Sequence, residues 1–178
     1  MKKLASACVG SLPVLAVLAV LPSSTIAAQF CAPHIDVSTP TSQFVDNNDG
    51  TITDKSTHLM WKKCVEGLSG SQCQTGVATK HTWRGALQKP GAVNGQLELG
   101  YGNWRLPNVS ELESLVEERC IEPSINSTVF PLTPSATAWT SSPAIHDPRY
   151  AWNVKFDFGH TYAVSREDEK YVRLVRNK

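Results

Sequence analysis

The side chains best placed to do chemistry are sulfurs. Cys31, Cys64, Cys73 and Cys120 lie downstream of an N-terminal stretch that holds the fifth cysteine, Cys8. Paired Cys-x-x-Cys units are missing, which speaks against a zinc site. An even number of thiols in an exported chain favours two disulfides, and four cysteines allow three pairings. Between Cys64 and Cys73 lie Gly67, Gly70 and small polar residues, a loop able to bend back on itself. That suggests Cys64–Cys73 and leaves Cys31–Cys120. In a chain-entropy model the short bridge contributes about 2.5 kcal/mol and the long one about 4.5 kcal/mol.

Other reactive residue types form weaker patterns. His34, His58, His81, His146 and His160 are scattered, with no His-x-x-x-His pair, and are expected on the surface or in turns. A Gly-x-Ser-x-Gly elbow is absent, although triads assembled in space remain open. The acidic run Asp46-Asn47-Asn48-Asp49-Gly50 invites a calcium reading. Aligned on Gly50, an EF-hand loop needs Asp where Val45 stands and Glu where Ser56 stands. Asp49-Gly50 instead suits a tight hairpin turn. No catalytic or metal site is expected.

Composition narrows the classes. The chain has 178 residues, 41% of them hydrophobic, and 17 Lys and Arg against 16 Asp and Glu. A net charge of +1 provides no field of one sign to gather nucleic-acid phosphate, so no such partner is expected. Lys2 and Lys3, an apolar run over 12–21 and the small residues Ser23 to Ala28 follow the layout of a secretory leader, residues 1–28. The run is short for a membrane span. Cleavage would leave residues 29–178 as one exported domain, periplasmic, secreted or at the cell surface, with a net charge of −1 and no membrane span.

Several elements must position any site. Residues 29–42 form a lead-in. A hairpin covers Phe44–Asp54, and a strand covers His58–Cys64. Thr82 caps a helix from Trp83, with Ala86 and Leu87 inward and Pro90-Gly91 as its end. Asn108 caps a second helix and Glu111 completes a capping box, with Val109, Leu112, Leu115 and Val116 on the apolar face and Glu113, Glu117 and Glu118 outward. Cys120 is expected to pin that helix end. Five prolines within 121–150 make a long Pro-rich loop region with a short strand near Ala138–Ser141. Strands are expected at Ala151–Phe156, Thr161–Val164 and Tyr171–Arg176. Two helices with short antiparallel strands make an α+β domain.

Six stretches, in order, resemble the Lcl C-terminal domain family of exported bacterial domains. They are Phe44–Asp54, Leu59-Met60-Trp61, Gly102–Asn108 with Glu111-Leu112, Trp139–Ser142, Ala151–Phe156 and Tyr171–Arg176. The resemblance implies a C-type-lectin-like fold, distantly similar to formylglycine-generating enzymes, and adhesin-type modules that bind sulfated glycans. Enzymes of that type need a cysteine pair near the C-terminal end, and no Cys follows Cys120. Calcium lectins use Glu-Pro-Asn or Gln-Pro-Asp and Trp-Asn-Asp; Glu122-Pro123-Ser124 and Trp152-Asn153-Val154 depart from both. Calcium is left open as a disfavoured cofactor, and no other cofactor is expected.

The expected function is therefore an adhesin-like binding module for a glycan, sulfated glycans included, or for a surface protein. The alternative is a structural or assembly domain of a cell-envelope complex that binds protein only. An enzyme is not expected. Candidate ligand-binding residues are Arg149, Tyr150, Trp152, Lys155, Asp157, His160 and Tyr162. Arg166, Lys170 and Lys178 add basic charge, interspersed with acids. Trp61, Trp104 and Trp139 are assigned to packing. Arg105, Glu111 and Arg173 are expected to form an internal ion cluster that ties the second helix to the last strand.

Overall fold

The Asp49-Gly50 turn joins two short β-prone runs, and the chain pairs as that turn dictates. In a computed structural model that describes residues 28–178, thirteen short strands and two α-helices follow one another. The expected leader falls on residues outside those described, except for Ala28. Strand β1 is Phe30–Cys31, β2 is Phe44–Asp46, β3 is Thr51–Asp54 and β4 is Leu59–Lys62. Next come β5 (Leu68–Ser69), β6 (Thr75–Gly76) and β7 (Lys80–His81). Helix α1 is Trp83–Gly95 and α2 is Val109–Glu113. The remaining strands are β8 (Cys120–Ile121), β9 (Thr137–Pro143), β10 (Tyr150–Lys155), β11 (His160–Ser165), β12 (Lys170–Tyr171) and β13 (Val175–Asn177).

A four-stranded sheet runs β13-β4-β3-β2 and a five-stranded sheet runs β11-β10-β9-β12-β7. Nearly all pairings are antiparallel, β12 on β9 being parallel. The domain is α+β. Ala138 and Val154 pack with Leu112 and Leu115 of the α2 segment, whereas Trp139 and Ala151 pack with Ala86 and Val93 of α1. Adjacent residues of a strand point to opposite faces, so the two helices cover opposite faces of the larger sheet. Trp61, Trp104 and Trp139 are all buried. Among the described residues no helix is long and apolar enough to cross a membrane.

Local chemistry explains the helix starts. The Thr82 hydroxyl accepts from the Gly85 N–H, and Asn108 and Glu111 form a reciprocal capping box. The expected stop of α1 at Pro90-Gly91 is corrected: the helix continues to Gly95 with Pro90 inside. Pro90 leaves the Ala86 carbonyl without its helical donor. Tertiary contacts outweigh that loss, because Val93 is buried and the Asn94 side chain both accepts from the Trp104 N–H and donates to the Trp104 carbonyl. Leu87 is also corrected, since it lies outward at 42% exposure.

Further corrections concern the C-terminal half. Glu117 points inward and is buried. Its carboxylate accepts from the N–H groups of Ser38, Thr39 and Arg119 and from the Thr39 hydroxyl. Cys120 lies in β8, paired with β1, rather than at the end of α2. The short strand expected near Ala138–Ser141 within the 121–150 stretch is present as β9, extended at both ends to Thr137–Pro143. The last strand is split: β12 belongs to the larger sheet and β13 to the smaller. Val172, Arg173 and Leu174 cross between them, all buried. The disulfides join Cys31 to Cys120 and Cys64 to Cys73.

Candidate functional site

A groove of about 940 Å³ opens between the first turns of α1 and the chain ends around β10 and β11. The Thr82 cap sets the start of α1, so Trp83 and Arg84 stand at its mouth. The Trp83 indole is fixed by donating from Nε1 to the Thr140 carbonyl at 2.8 Å. Arg166 follows β11 and is held by its own backbone: its N–H donates to the Arg149 carbonyl, and its carbonyl accepts from the Trp83 N–H. Its side-chain Nε donates to the Tyr150 carbonyl at 3.1 Å, and its guanidinium lies over the Trp83 ring at 4.1 Å. Arg149 completes the basic rim.

Charge favours an anion here. Arg84, Arg149 and Arg166 line the groove against one acid, Glu167. Arg149 is partly neutralised by Asp147, to which it donates from Nε at 3.1 Å and from a terminal nitrogen at 2.8 Å. The Arg149 guanidinium holds the Asp147 carboxyl down at about 2, so this pair stays ionised through the physiological range. Guanidinium forks suit planar or tetrahedral oxyanions, and an indole face accepts a sugar ring or a second guanidinium.

The expected ligand residues separate into two groups at opposite ends of the β10–β11 hairpin. Arg149 lines the groove and Tyr150 adjoins it. Lys155, Asp157 and His160 lie at the other end, roughly 16 Å along the strand from Tyr150 at about 3.3 Å per residue. There the Lys155 ammonium donates to Asp157 at 2.7 Å and sits over the Phe158 ring, and Lys155 pairs with His160. Trp152 lies between, 37% exposed. The Tyr162 hydroxyl is 3.3 Å from the Thr137 hydroxyl, so that side chain turns toward β9. The seven therefore do not form one site.

The ion cluster is corrected too. Arg105 and Glu111 form a two-toothed pair, and Arg105 also donates to the Asn177 side chain in β13. Arg173 takes no part. Its buried guanidinium donates to the carbonyls of Lys62 and Lys63 and to the Thr133 hydroxyl, and it stacks on Phe130. Its position between the two sheets, and not on the solvent face of one strand, explains the difference. Burial pushes its pKa down to about 9, and the two carbonyls supply acceptors in place of a carboxylate.

Trp83, Arg84 and Gln88 of the groove were not singled out by the sequence. The available signal was the Thr82 cap, which places Trp83 and Arg84 in the first turn of α1, Arg84 exposed and Trp83 partly buried. Among the described residues no three His, Cys, Asp or Glu side chains gather as a metal ion needs. No curated protein matches the chain. The family model of the Lcl C-terminal domain matches residues 50–176, most of the chain, and the protein belongs to that family.

Proposed function

We propose that this chain is an exported binding module of C-type-lectin-like type that takes anionic glycans, sulfated ones above all, in the groove beside α1. The observation that carries the proposal is the convergence of Arg84, Arg149 and Arg166 around the Trp83 ring. Sulfates meet guanidinium forks, and the Trp83 ring beneath Arg166 holds one of those forks in place. Export is supported by the leader-like N-terminus and by two bridges that use every cysteine downstream of it. The family resemblance supports the lectin-like type.

One feature favours a surface protein as partner. Ile145 is 89% exposed in the turn between β9 and β10, with Tyr150 and Trp152 half-exposed on the following strand. Aromatic and arginine side chains of this kind anchor protein interfaces. In that second form the chain is an assembly domain of an envelope complex.

Binding to heparin and to its desulfated form, measured across a salt series, tests the first form. Expected is binding to heparin alone that weakens steadily with salt. Arg84→Glu reverses one charge on an exposed side chain and should weaken binding severalfold while leaving the melting temperature unchanged. Equal binding of desulfated heparin, or no loss in Arg84→Glu, overturns the groove as an anion site. Flat glycan binding with a protein partner lost in Ile145→Asp favours the assembly domain.

A further inference from the structure

A second hollow, about 410 Å³, lies between the Asp49-Gly50 hairpin and the Cys64–Cys73 loop. Its volume falls in the range of small-molecule pockets. Two ammonium groups reach it from adjacent residues. Lys62 ends β4, and Lys63 follows as the chain turns toward Cys64. The Arg173 guanidinium fixes that corner from behind by holding both of their carbonyls. Lys62 donates to Glu66 and to Glu98, each at 2.6 Å, and Lys63 donates to Asp46 at 2.7 Å. Both lysine side chains are more than nine-tenths buried.

The opposite wall is strained. Leu97 and Leu99 flank Glu98 and both adopt the left-handed region, at φ 49° and 57°. Bulky residues avoid that conformation unless their surroundings enforce it, and such strain gathers at ligand clamps. Here it carries Glu98 to Lys62 and lays Leu99 beside Gly50, where even a Cβ would come within 3.0 Å.

The unused hydrogen-bonding capacity decides the ligand class. Lys62 has one N–H left and Lys63 has two, while the second Glu98 oxygen has no donor among the described residues. The Asn48 amide makes no side-chain bond there and lines the same hollow. Asp49 accepts from Thr51 with one oxygen and from the Tyr101 hydroxyl at 3.3 Å with the other. An added anion meets lysines already neutralised by carboxylates; an added cation meets Asp46 and Glu98 already paired with lysines, and Asp49 already accepting from Thr51 and Tyr101. What fits is a group that donates and accepts at neighbouring atoms without charge, and vicinal hydroxyls do so. Leu68 and Leu99 supply apolar surface for a ring face.

We propose that this hollow is a binding site for a neutral monosaccharide unit, separate from the arginine groove and not dependent on it. Hydroxyls accept from Lys62, Lys63 and Asn48 and donate to Glu98 and Asp49.

Titration of the isotope-labelled full chain with glucose, galactose, mannose and N-acetylglucosamine, followed by NMR, tests it. At least one should shift the signals of Lys63, Leu68 and Leu99 saturably, with a Kd of about 1 mM or weaker, and added salt should leave the Kd unchanged. Asn48→Gly keeps the positive φ of that position and removes only the amide, so it should weaken binding about fivefold, the worth of one hydrogen bond, without altering the spectrum elsewhere. Lys63→Met should weaken it further. No shift with any of the four at ~100 mM overturns the proposal. So does displacement of these signals by sulfate in place of sugar, or equal affinity in both variants. Failure of the arginine groove would appear separately, at the Trp83 indole signal under heparin.

Discussion

Arg105 grips Glu111 with two parallel hydrogen bonds, each 2.7 Å, while Glu111 also accepts from the Asn108 N–H as half of a capping box. One carboxylate thus closes the start of α2 and ties it to the strand-like segment that pairs with β13 through Arg105 and Val175. The Arg105 side chain is 38% exposed, so the pair is not a buried cluster. Glu111→Ala should therefore cost about 1–2 kcal/mol, the sum of a cap and a partly solvated two-toothed pair, and not the 3–5 kcal/mol of a broken buried pair. In a domain of this size that is a fall of roughly 2–8 °C in Tm. Glu111→Gln retains the box and should recover about half. A melt of Glu111→Ala that superposes on the parent would disprove the linkage.

Arg173 should be the more costly arginine. It is 1% exposed and satisfies two backbone carbonyls and a hydroxyl. Arg173→Ala leaves those acceptors buried without a donor and opens a void, and about 3–5 kcal/mol should be lost. Arg173→Lys should rescue little, because a point charge cannot reproduce the planar fork or its stacking on Phe130. Urea midpoints of the two variants and the parent check the order. Lys at wild-type stability would contradict the geometry.

These two arginines also show which parts of the structure are legible in sequence. The Asn108–Glu111 box is local, so spacing alone reveals it. Cys64 and Cys73 are joined across a flexible loop that the glycines announce. The partners of Arg173 are backbone carbonyls, which leave no mark on residue identity. Glu117 accepts from the N–H groups of Ser38 and Thr39, far away in the chain, and an amphipathic pattern counts it as outward. Pro90 reads as a stop because the Asn94–Trp104 contacts that carry α1 past it are tertiary. The groove is half legible: Arg149 and Arg166 stand out as basic residues near the C-terminus, but only the fold brings Trp83 beneath Arg166.

Acid should unfold the domain through a small set of carboxylates. The Arg105 fork, and then the Asn108 N–H, hold the Glu111 carboxyl below its usual 4.5 against the opposing effect of burial. For Glu117 burial is the largest influence and raises the pKa, yet the donors from Thr39, Ser38 and Arg119 together outweigh it and the net direction is down. Both groups bind protons more readily when unfolded, so their stabilisation is complete above about pH 4.5 and disappears as pH falls through the folded values. His81 adds a step at higher pH. Burial, reinforced by Lys89, lowers its pKa below 6.5, so the folded state resists its protonation and stability begins to decline below that pH. Urea midpoints at pH 7.5, 5.5 and 3.5 should fall in that order. His81→Gln should flatten the first interval only, and Glu117→Gln should lower the pH 7.5 midpoint while flattening the second. A midpoint that rises on acidification would reverse the sign and refute these assignments.

The two disulfides should contribute unequally. Cys31–Cys120 spans 89 residues and Cys64–Cys73 spans 9. Loop-closure entropy assigns about 4.5 kcal/mol to the first and about 2.5 kcal/mol to the second. The long bridge also joins β1 to β8, a two-residue pairing flanked by hydrogen bonds from the Gln29 side chain to the Pro123 and Ile125 carbonyls and from the Ala32 N–H to the Arg119 carbonyl. The short bridge closes a loop already shaped by Gly67 and Gly76, where a Cβ on either would come within 2.2 Å of the facing backbone. A Cys31→Ser/Cys120→Ser variant should therefore unfold at clearly lower denaturant than Cys64→Ser/Cys73→Ser. The second pair borders the neutral-sugar hollow through Cys64, so its removal should loosen one wall of that hollow before it affects global stability. Hydrogen exchange would show this as faster exchange over 64–73 with β9 and β10 still protected. Equal denaturant midpoints for the two double variants would mean that native contacts, and not chain closure, set the worth of each bridge.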